Sequence, residues 1–460
     1  MSETTNTAAS AENVPKRAEA PYPPPAYAWY CVFILLGVYM NSFLDRQILA
    51  LLVGFIKKDL QLSDSAVGFL MGPAFAIFYT IGGLPLGIAA DRLSRRWLIG
   101  IGQAFWSVAS MAFGLGRNYM QLLSARIGVG VGEASLSPSA YSLVSDLFPP
   151  NKLATALAVY GTGIYFGTGA AFLGGAYFVQ WVYSPGFADV KASFGPFFAD
   201  RANWQLVFFF IAMPTIPLTL LLLTIKEPVR RGGHVTVPVK RFLAYAWDNR
   251  RTLVRHNVGF ALLSFCSYGA AAWTPTYMAR IHGWQPAEFG KLFGLVILVA
   301  GVLGIWAGGR VADLLHARGV VDAKMRVGFY GAICGLPFAL LVPLMPNPYL
   351  AYTLMWPSTF FTAVPWGIAP AAVQELMPNR MRGQASALYL FTVNLIGLAL
   401  GPYLLAVVTD VIFRDEMKIH LSMVSTTIVA AGAAIALLGT GLKHFRASLQ
   451  YRDQFNKTHS

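Results

Sequence analysis

Four ionisable residues lie inside stretches of the chain that are otherwise apolar. Asp45 and Arg46 follow Asn41 in the first such stretch, and Arg126 and Glu133 lie in the fourth. Arg126 and Glu133 are seven residues apart, so on a helix they share one face about 10 Å apart along the axis. An ionised side chain in a bilayer costs at least ~2.5–3.5 kcal/mol unless it is paired or hydrated. We therefore predict that these residues face a shared cavity between the first and fourth spans.

This set of charges is suited to coupling transport to a proton. Glu133 could exchange a proton during a transport cycle, while Asp45 and Arg126 pair in one conformation and change partners in another. Arg46 or Arg126 could also hold an anionic head group. The alternative is a static network that only fixes helix packing, because buried ion pairs are not all functional. Ionisable residues of the second half lie near the ends of its apolar stretches, so we expect coupling in the first half.

A cluster of charge at residues 87–96 joins the second and third apolar stretches. Its aspartate could accept hydrogen bonds from helix N-termini of the other half, and its arginines could pair with carboxylates. A related pattern recurs at residues 309–318. We predict a latch that holds the two halves together on the cytoplasmic side and releases them during transport. Positive charge that only sets topology is the alternative for the arginines. The predicted members are Gly87, Asp91, Arg92, Arg95, Arg96, Asp313 and Arg318.

Aromatic residues and prolines mark the second half of the chain. Prolines bend spanning helices and free backbone carbonyls, and an aromatic wall suits the tail of an amphiphile. The alternative is that these aromatics lie at the lipid interface. The candidate cavity-lining residues are Asn41, Tyr268, Trp273, Tyr277, Trp356, Trp366 and Asn394.

The elements that position these residues are apolar stretches typical of a membrane protein. Hydrophobic residues make up 56% of the 460 residues and charged residues 12%, against about a quarter charged in soluble domains. A spanning helix needs ~20 apolar residues. We predict an all-α membrane protein of twelve transmembrane helices in two pseudo-symmetric six-helix bundles. The stretches are residues 27–54, 65–91, 97–117, 119–147, 152–182, 205–226, 256–279, 287–313, 326–345, 348–375, 380–410 and 419–442.

The domain organisation follows from a polar break in the middle of the chain and from internal repeats. The repeats at 87–96 and 309–318, and at 148–158 and 377–387, each lie six spans apart and imply duplicated halves. Basic residues concentrate at one face, which predicts a multi-pass protein of the cell (inner) membrane with both termini cytoplasmic. The predicted parts are a disordered cytoplasmic tail (1–26), an N-terminal bundle (27–226), a basic cytoplasmic linker (227–255) with a surface helix near 240–252, a C-terminal bundle (256–442) and a cytoplasmic tail (443–460).

Several functional classes are disfavoured by the sequence. The net charge of +14 lies in short segments between apolar stretches, which indicates topology rather than nucleic-acid binding. Three cysteines and scattered histidines predict neither a disulfide framework nor a metal site. No nucleophile triad or P-loop occurs, so we expect no enzyme and no cofactor besides protons. The buried charges lie in one half and the charged loops are paired, which suits two halves that rock against each other better than a channel. We expect a functional monomer, and its expected partners are an amphiphilic substrate and membrane lipids.

Residues 41–46, 87–96 and 126–138 resemble the Spinster-like family of the major facilitator superfamily, which includes sphingosine-1-phosphate and lysophospholipid transporters. Ser94 stands where the loop pattern usually has glycine. The resemblance covers nearly all of residues 28–440 and implies alternating access, lipid-like solutes and dependence on protons. By that similarity Asp45, Arg126 and Glu133 are the coupling and substrate-site candidates. The Asp45-Arg46 pair also resembles that of organic anion symporters in the same superfamily. We expect a proton-coupled transporter of an amphiphilic, lipid-like solute, the alternative being a symporter of small organic anions such as sugar acids.

Overall fold

The computed structural model describes residues 21–230 and 237–459, and this part of the chain is almost entirely helical. Most of the predicted N-terminal tail, the middle of the predicted linker and the last residue lie outside the described residues. Twelve membrane-crossing segments, here numbered spans 1 to 12, form two halves of six. Within the described residues, nine of them are long and apolar enough to cross a membrane by length and composition alone. Spans 4, 7 and 10 complete the set.

One of the spans is broken where proline interrupts the helical hydrogen bonds. Span 2 is interrupted at Gly72-Pro73, because proline lacks the N–H group that would continue the helical hydrogen bonds. Spans 1 to 6 are Pro25–Leu60, Asp64–Arg92, Arg95–Leu115, Tyr119–Glu133 with Leu136–Leu147, Pro150–Gly161 with Gly163–Val182, and Asn203–Leu223. Spans 7 to 12 are Arg250–His282, Pro286–Ala317, Ala323–Leu344, Pro348–Glu375, Asn379–Phe413 and Ile419–His459. A further helix, Val239–Asp248, precedes span 7 and is called the linker helix.

The last span extends beyond the apolar stretch read from the sequence. Span 12 continues as one helix to His459, so residues 443–459, predicted as a tail, are helical. Thr252 of span 7 donates its hydroxyl to the carbonyl of His444 at 2.9 Å, and Arg446 bonds Asp322 at 2.9 Å. The end of span 12 is therefore held against its own half.

The two halves pack against each other at the face remote from the linker helix, here called the far face. Spans 5 and 8 touch there through glycines, since a Cβ at Gly294 would lie 2.8 Å from the carbonyl oxygen of Gly169. Spans 2 and 11 also pack closely, and a Cβ at Gly68 would lie 2.8 Å from the Cβ of Ala406. Glycine at these positions lets two helix backbones approach within contact distance.

On the opposite side of the bundle, here called the linker face, the described residues show no such close packing between halves. The segments that approach the linker face pack chiefly within their own half. These segments are Leu136–Leu147 and Pro150–Gly161 in the first half, and Val302–Ala317 and Arg382–Thr392 in the second. The halves are thus closed at the far face and spread apart at the linker face.

Candidate functional site

Arg46 and Glu133 form an ion pair between spans 1 and 4. Arg46 Nε donates to Glu133 Oε2 at 2.7 Å, and Nη2 contacts the same oxygen. The Glu133 side chain is fully buried, whereas that of Arg46 is 11% exposed. Glu133 ends the first helix of span 4, which resumes at Leu136. The carboxylate therefore lies at an interruption in the middle of a membrane span.

Two glycines of span 4 allow its neighbours to come close to this carboxylate. A Cβ at Gly130 would lie 2.6 Å from the carbonyl oxygen of Phe75 in span 2. A Cβ at Gly132 would lie 2.8 Å from the backbone nitrogen of Trp106 in span 3. Real Cβ atoms do not occupy such positions, so the Gly-Val-Gly-Val-Gly run permits the packing of spans 2, 3 and 4 that encloses Glu133.

Arg126 and Asp45 lie beside this pair, and the Arg126 side chain contacts the backbone carbonyl of Asp45 but not its carboxylate. Arg126 Nη1 donates to the carbonyl of Asp45 and Nε to that of Leu70, both at 3.3 Å. The Asp45 carboxylate accepts a hydrogen bond from Ser110 at 2.9 Å and is fully buried. Within the described chain Arg126 forms no ion pair. Sequence analysis predicted that Asp45 and Arg126 exchange partners, and this stays a prediction.

Aromatic rings surround both guanidinium groups. Arg46 Cζ lies 4.9 Å from the ring centroid of Phe43, 4.6 Å from that of Phe75 and 4.9 Å from that of Tyr79. Arg126 Cζ lies 5.9 Å from the same Phe75 ring. The ring faces attract the cations electrostatically. Phe75 is thus shared by the two arginines, a contact that no charge pattern in the sequence indicated.

Both arginines line a small cavity between the two halves. Besides Arg46 and Arg126, its wall contains Gln47, Phe75 and, from the second half, Tyr268. We call it the cationic cavity. Asp45 and Glu133 are not part of its wall, because both are covered by the spans around them. The structure therefore brings the four predicted residues together, with the two cations at the cavity surface and the two carboxylates behind them.

A second cavity, larger than the first, adjoins it. Gln47 and Tyr268 line both cavities. Most of the larger wall belongs to spans 7 to 12, and the first half contributes Phe43 and Tyr165 among others. We call it the apolar chamber, because none of the described residues in its wall is Asp, Glu, Lys or Arg.

Three threonine hydroxyls in the wall of the apolar chamber donate to carbonyls of their own helices. Thr274 donates to the carbonyl of Ala270 at 2.7 Å, and Thr426 donates to that of Ser422 at 2.6 Å. Thr362 makes the same kind of bond to Ser358. Since a threonine bonded in this way has no free hydroxyl hydrogen, these three side chains offer no donor to a ligand.

Two of the predicted aromatic residues line the chamber. The rings of Tyr268 and Trp366 meet edge to face, with centroids 5.4 Å apart. Trp273 and Tyr277 are instead fully buried and line neither cavity. Trp273 Nε1 donates to the carbonyl of Pro402 at 2.8 Å, as a buried indole requires, and this bond joins span 7 to span 11.

The remaining predicted lining residues are outside both cavities. Asn41 is buried and donates to the hydroxyl of Thr215 at 3.1 Å, which joins span 1 to span 6. Trp356 packs half-buried against the core, and Asn394 lies half-buried in span 11. These polar and aromatic residues were read as cavity residues because a sequence does not say which helix face points inwards.

Arg95 of the predicted latch is buried and holds the first half together at the linker face. Its Nε donates to Glu227 at 2.7 Å, and its Nη1 bonds Asp146 of span 4 at 2.5 Å. Burial alone would raise the pKa of Glu227, but hydrogen bonds from Arg95 and Ser94 outweigh it and hold that pKa below its usual range. Arg95 thus joins spans 3 and 4 to the segment after span 6.

Among the described residues, the other predicted latch members form no hydrogen bond or ion pair with the opposite half in this conformation. Asp91 and Arg92 are exposed, and the backbone carbonyl of Asp91 accepts a hydrogen bond from Arg230. Arg96 bonds the carbonyl of Ile225 at 3.0 Å. In the second half, Asp313 and Arg318 are exposed. A Cβ at Gly87 would meet only an ordinary contact, with Pro138 at 3.8 Å.

The second half carries its own ionic contacts at the corresponding places. Lys324 of span 9 bonds Glu375 of span 10 at 2.8 Å. Asp322, just before span 9, accepts bonds from Arg326 at 2.8 Å and from Arg446 of span 12 at 2.9 Å. Each half is therefore fastened internally between its third, fourth and sixth spans. This leaves each bundle able to move as one body.

Ionic contacts between the halves occur at the far face, where sequence analysis did not place them. Arg280 of span 7 donates to both oxygens of Asp64 in span 2, at 2.6 and 2.7 Å. Lys57 contacts Asp64 and bonds Glu416 at 2.7 Å. In addition, the backbone N–H of Ser65 donates to Asp410 at 2.6 Å. We call Lys57, Asp64, Arg280 and Glu416 the far-face network. Its residues lie near span ends, where isolated charges are ordinary, so no sequence pattern indicated it.

Comparison with known proteins agrees with this architecture. The model of the Major Facilitator Superfamily matches residues 35–402. An MFS-type efflux pump of Mycolicibacterium smegmatis is 27% identical over 440 residues, covering 93% of this chain and 94% of the pump. Protein spinster of Drosophila melanogaster is 24% identical, and the alignment covers 85% of this chain but 63% of that protein. A crystal structure of a bacterial homolog of the human lysosomal transporter Spinster, inward-facing and unoccupied, has a TM-score of 0.74 at 22% identity, covering 93% and 98% of the chains.

Proposed function

The chain belongs to the major facilitator superfamily, and on that premise we propose that it carries an amphiphilic, lipid-like organic solute across the membrane, coupled to protons. The family and the apolar helices establish that the chain is a multi-pass transporter and not an enzyme. Two internally fastened halves that meet at the far face are suited to alternating access by rocking. The substrate class and the coupling ion are the proposal.

The observation that carries the substrate class is the junction of the two cavities. Gln47 and Tyr268 line both the cationic cavity and the apolar chamber. A molecule with an anionic head on Arg46 and Arg126 can therefore extend its tail past these residues without crossing a charged wall. Burying apolar tail surface contributes about 0.8 kcal/mol per CH₂ group. The head group supplies orientation, since guanidinium groups bind phosphate or carboxylate through two parallel hydrogen bonds.

Coupling to protons rests on the arrangement behind the cationic cavity. Arg46 connects the cavity to Glu133, because it contacts Glu133 and also lines the cavity. An anionic head group that binds Arg46 competes with Glu133 for the same cation. A carboxylate that loses its only buried partner is stabilised by binding a proton. Substrate binding and protonation of Glu133 would then favour each other.

The relatives support this proposal but do not decide between lipids and other solutes. Relatives include proteins named spinster and one named as an efflux pump. The alternative, a symporter of small organic anions such as sugar acids, uses the same arginines. A sugar acid would bind in the cationic cavity alone, leaving the apolar chamber without a role. We therefore prefer the amphiphile.

The test is uptake into proteoliposomes, with and without an imposed pH gradient. An anionic lysophospholipid and a sugar acid are offered as labelled substrates. We expect gradient-stimulated movement of the lysophospholipid alone, and an Arg126→Gln variant should require a higher concentration of it. Arg117→Gln is the matched control, because Arg117 is exposed and lines neither cavity. Movement of the sugar acid alone would replace the proposal by the alternative.

A further inference from the structure

The linker helix, Val239–Asp248, is fixed to the second half by one of its faces. Phe242 and Tyr245 are buried there, and the Tyr245 hydroxyl donates to the carbonyl of Leu376 at 2.9 Å. Just before the helix, the carbonyl of Val237 accepts a hydrogen bond from Gln384 at 2.9 Å. The helix therefore has a defined orientation on the bundle.

The opposite face presents an apolar stripe that no described residue covers. Val239, Leu243 and Trp247 are 63%, 56% and 68% exposed. They are spaced four residues apart, so they form one line along the helix. Exposing a tryptophan and two aliphatic residues to water would be unfavourable, by roughly 25 cal/mol per Å² of apolar surface.

Exposed cations accompany this stripe along the helix and after it. Lys240 lies beside the stripe, and Arg241 lies nearer the bundle, with its Cζ 5.8 Å from the ring centroid of Phe455. Arg250 and Arg251 follow the helix at the start of span 7. The Arg250 guanidinium lies over the Trp247 ring, with Cζ 4.8 Å from the centroid. The acidic residue of the helix, Asp248, is engaged by the hydroxyl of Tyr451 at 2.9 Å. These four cations outnumber this carboxylate, so the net charge of the helix and the start of span 7 is positive.

We propose that the linker helix is a docking surface for the anionic phospholipids of the leaflet at the linker face. The helix lies between span 6 and span 7, where the chain leaves and re-enters the bilayer. An apolar stripe with basic flanks is the form of a helix that lies in the plane of a membrane interface. Trp247 occupies the head-group level that indoles prefer, and the cations bind lipid phosphates. Because the other face is anchored at Leu376, this contact fixes the second half relative to the leaflet.

The experiment measures hydrogen–deuterium exchange of the full chain in nanodiscs of phosphatidylcholine, with and without phosphatidylglycerol. Each basic residue near an anionic surface changes the binding equilibrium about fivefold. We expect the amides of the linker helix to exchange at least about fivefold more slowly with phosphatidylglycerol present. A Lys240→Gln/Arg241→Gln variant should lose most of this difference. This readout does not depend on transport, so it is separate from the proposed function.

Two further variants make the result decisive. Arg382→Gln removes an exposed cation at the start of span 11 and should keep the full lipid difference. Leu243→Gln preserves helix propensity but removes part of the stripe, so exchange should quicken in both lipids. Equal exchange of the wild-type helix in both lipids would overturn the proposal, as would a full lipid difference in the double variant. Unchanged exchange in Leu243→Gln would show that the stripe is outside the leaflet and would also overturn it.

Discussion

Arg46 Nε lies 2.7 Å from Glu133 Oε2, and this ion pair joins a cavity-facing cation to a wholly buried carboxylate. The second oxygen of Glu133 has no hydrogen-bond partner among the described residues. A buried carboxylate with a single partner is sensitive to anything that draws that partner away. The pair therefore connects the occupancy of the cationic cavity to the charge state of span 4.

Replacing Glu133 by glutamine should remove the response to a pH gradient while retaining the fold. The amide oxygen can still accept the bond from Arg46, but the side chain no longer binds or releases a proton. We expect gradient-stimulated uptake to fall to the level seen without a gradient, while exchange of substrate at equal pH continues. Glu288→Gln is the matched control, because Glu288 is exposed at the start of span 8. Full gradient stimulation in the Glu133→Gln variant would remove Glu133 from coupling.

The sequence predicted the fold and the neighbourhood of this site well, for a physical reason. A charge in an apolar stretch is costly unless it has a partner, so Asp45, Arg46, Arg126 and Glu133 had to lie together. Their pairing was harder to predict, because it depends on side-chain direction. The actual bond is between Arg46 and Glu133, whereas Arg126 contacts backbone carbonyls. Only the three-dimensional structure shows which arginine pairs with Glu133 and which one binds backbone carbonyls.

Enlarging a residue in the wall of the apolar chamber should change which tail lengths are transported. Ala339 of span 9 lines the chamber and not the cationic cavity. Leucine there would exclude part of the tail, at about 0.8 kcal/mol, or about fourfold in KM, for each excluded CH₂ group. We expect uptake of long-chain lysophospholipids to fall while that of short-chain ones persists. The measurement is KM across a chain-length series.

Ala287→Leu is a suitable control for this series. Ala287 lies at the start of span 8 and lines neither of the two cavities. It should leave the dependence on chain length unchanged. If Ala339→Leu lowers uptake of all chain lengths equally, the apolar chamber does not hold the tail.

The contact between Arg95 and Glu227 should make the stability of the first half depend on pH. The pKa of Glu227 is lower in the folded chain than its usual value, so the stabilisation is present above the ordinary glutamate pKa and is lost as the pH falls through the lowered one. A Glu227→Gln variant should therefore unfold at a lower temperature than wild type near pH 7. The difference should shrink well below about pH 4, where glutamate is protonated. Thermal unfolding in detergent at both pH values tests this, and a pH-independent difference would contradict it.

The role of Arg95 illustrates what a charge pattern alone leaves open. The loop at 87–96 predicted partners in the opposite half, yet Arg95 binds Asp146 and Glu227 of its own half. The acidic partners lie 51 and 132 residues away, each as a single carboxylate near the end of a span. Local patterning identifies a loop that must be fastened, whereas the choice of partner is decided by how six helices pack.

Removing the charge of Arg280 should weaken the closed far face and shift the protein towards opening on that side. Arg280 donates to both oxygens of Asp64, whose side chain is fully buried, so its loss leaves Lys57 as the nearest cation. Breaking a buried, hydrogen-bonded pair costs several kcal/mol, of which retained contacts offset a part. We expect Arg280→Gln to raise the ratio of far-face-open to far-face-closed molecules about tenfold or more. Distances between spin labels on spans 2 and 7, measured in nanodiscs, report that ratio.

Arg117→Gln is the control for this measurement. Arg117 is an exposed cation after span 3, so its replacement should leave the distances unchanged. If Arg280→Gln keeps the wild-type distance distribution, the far-face network does not hold the two halves together.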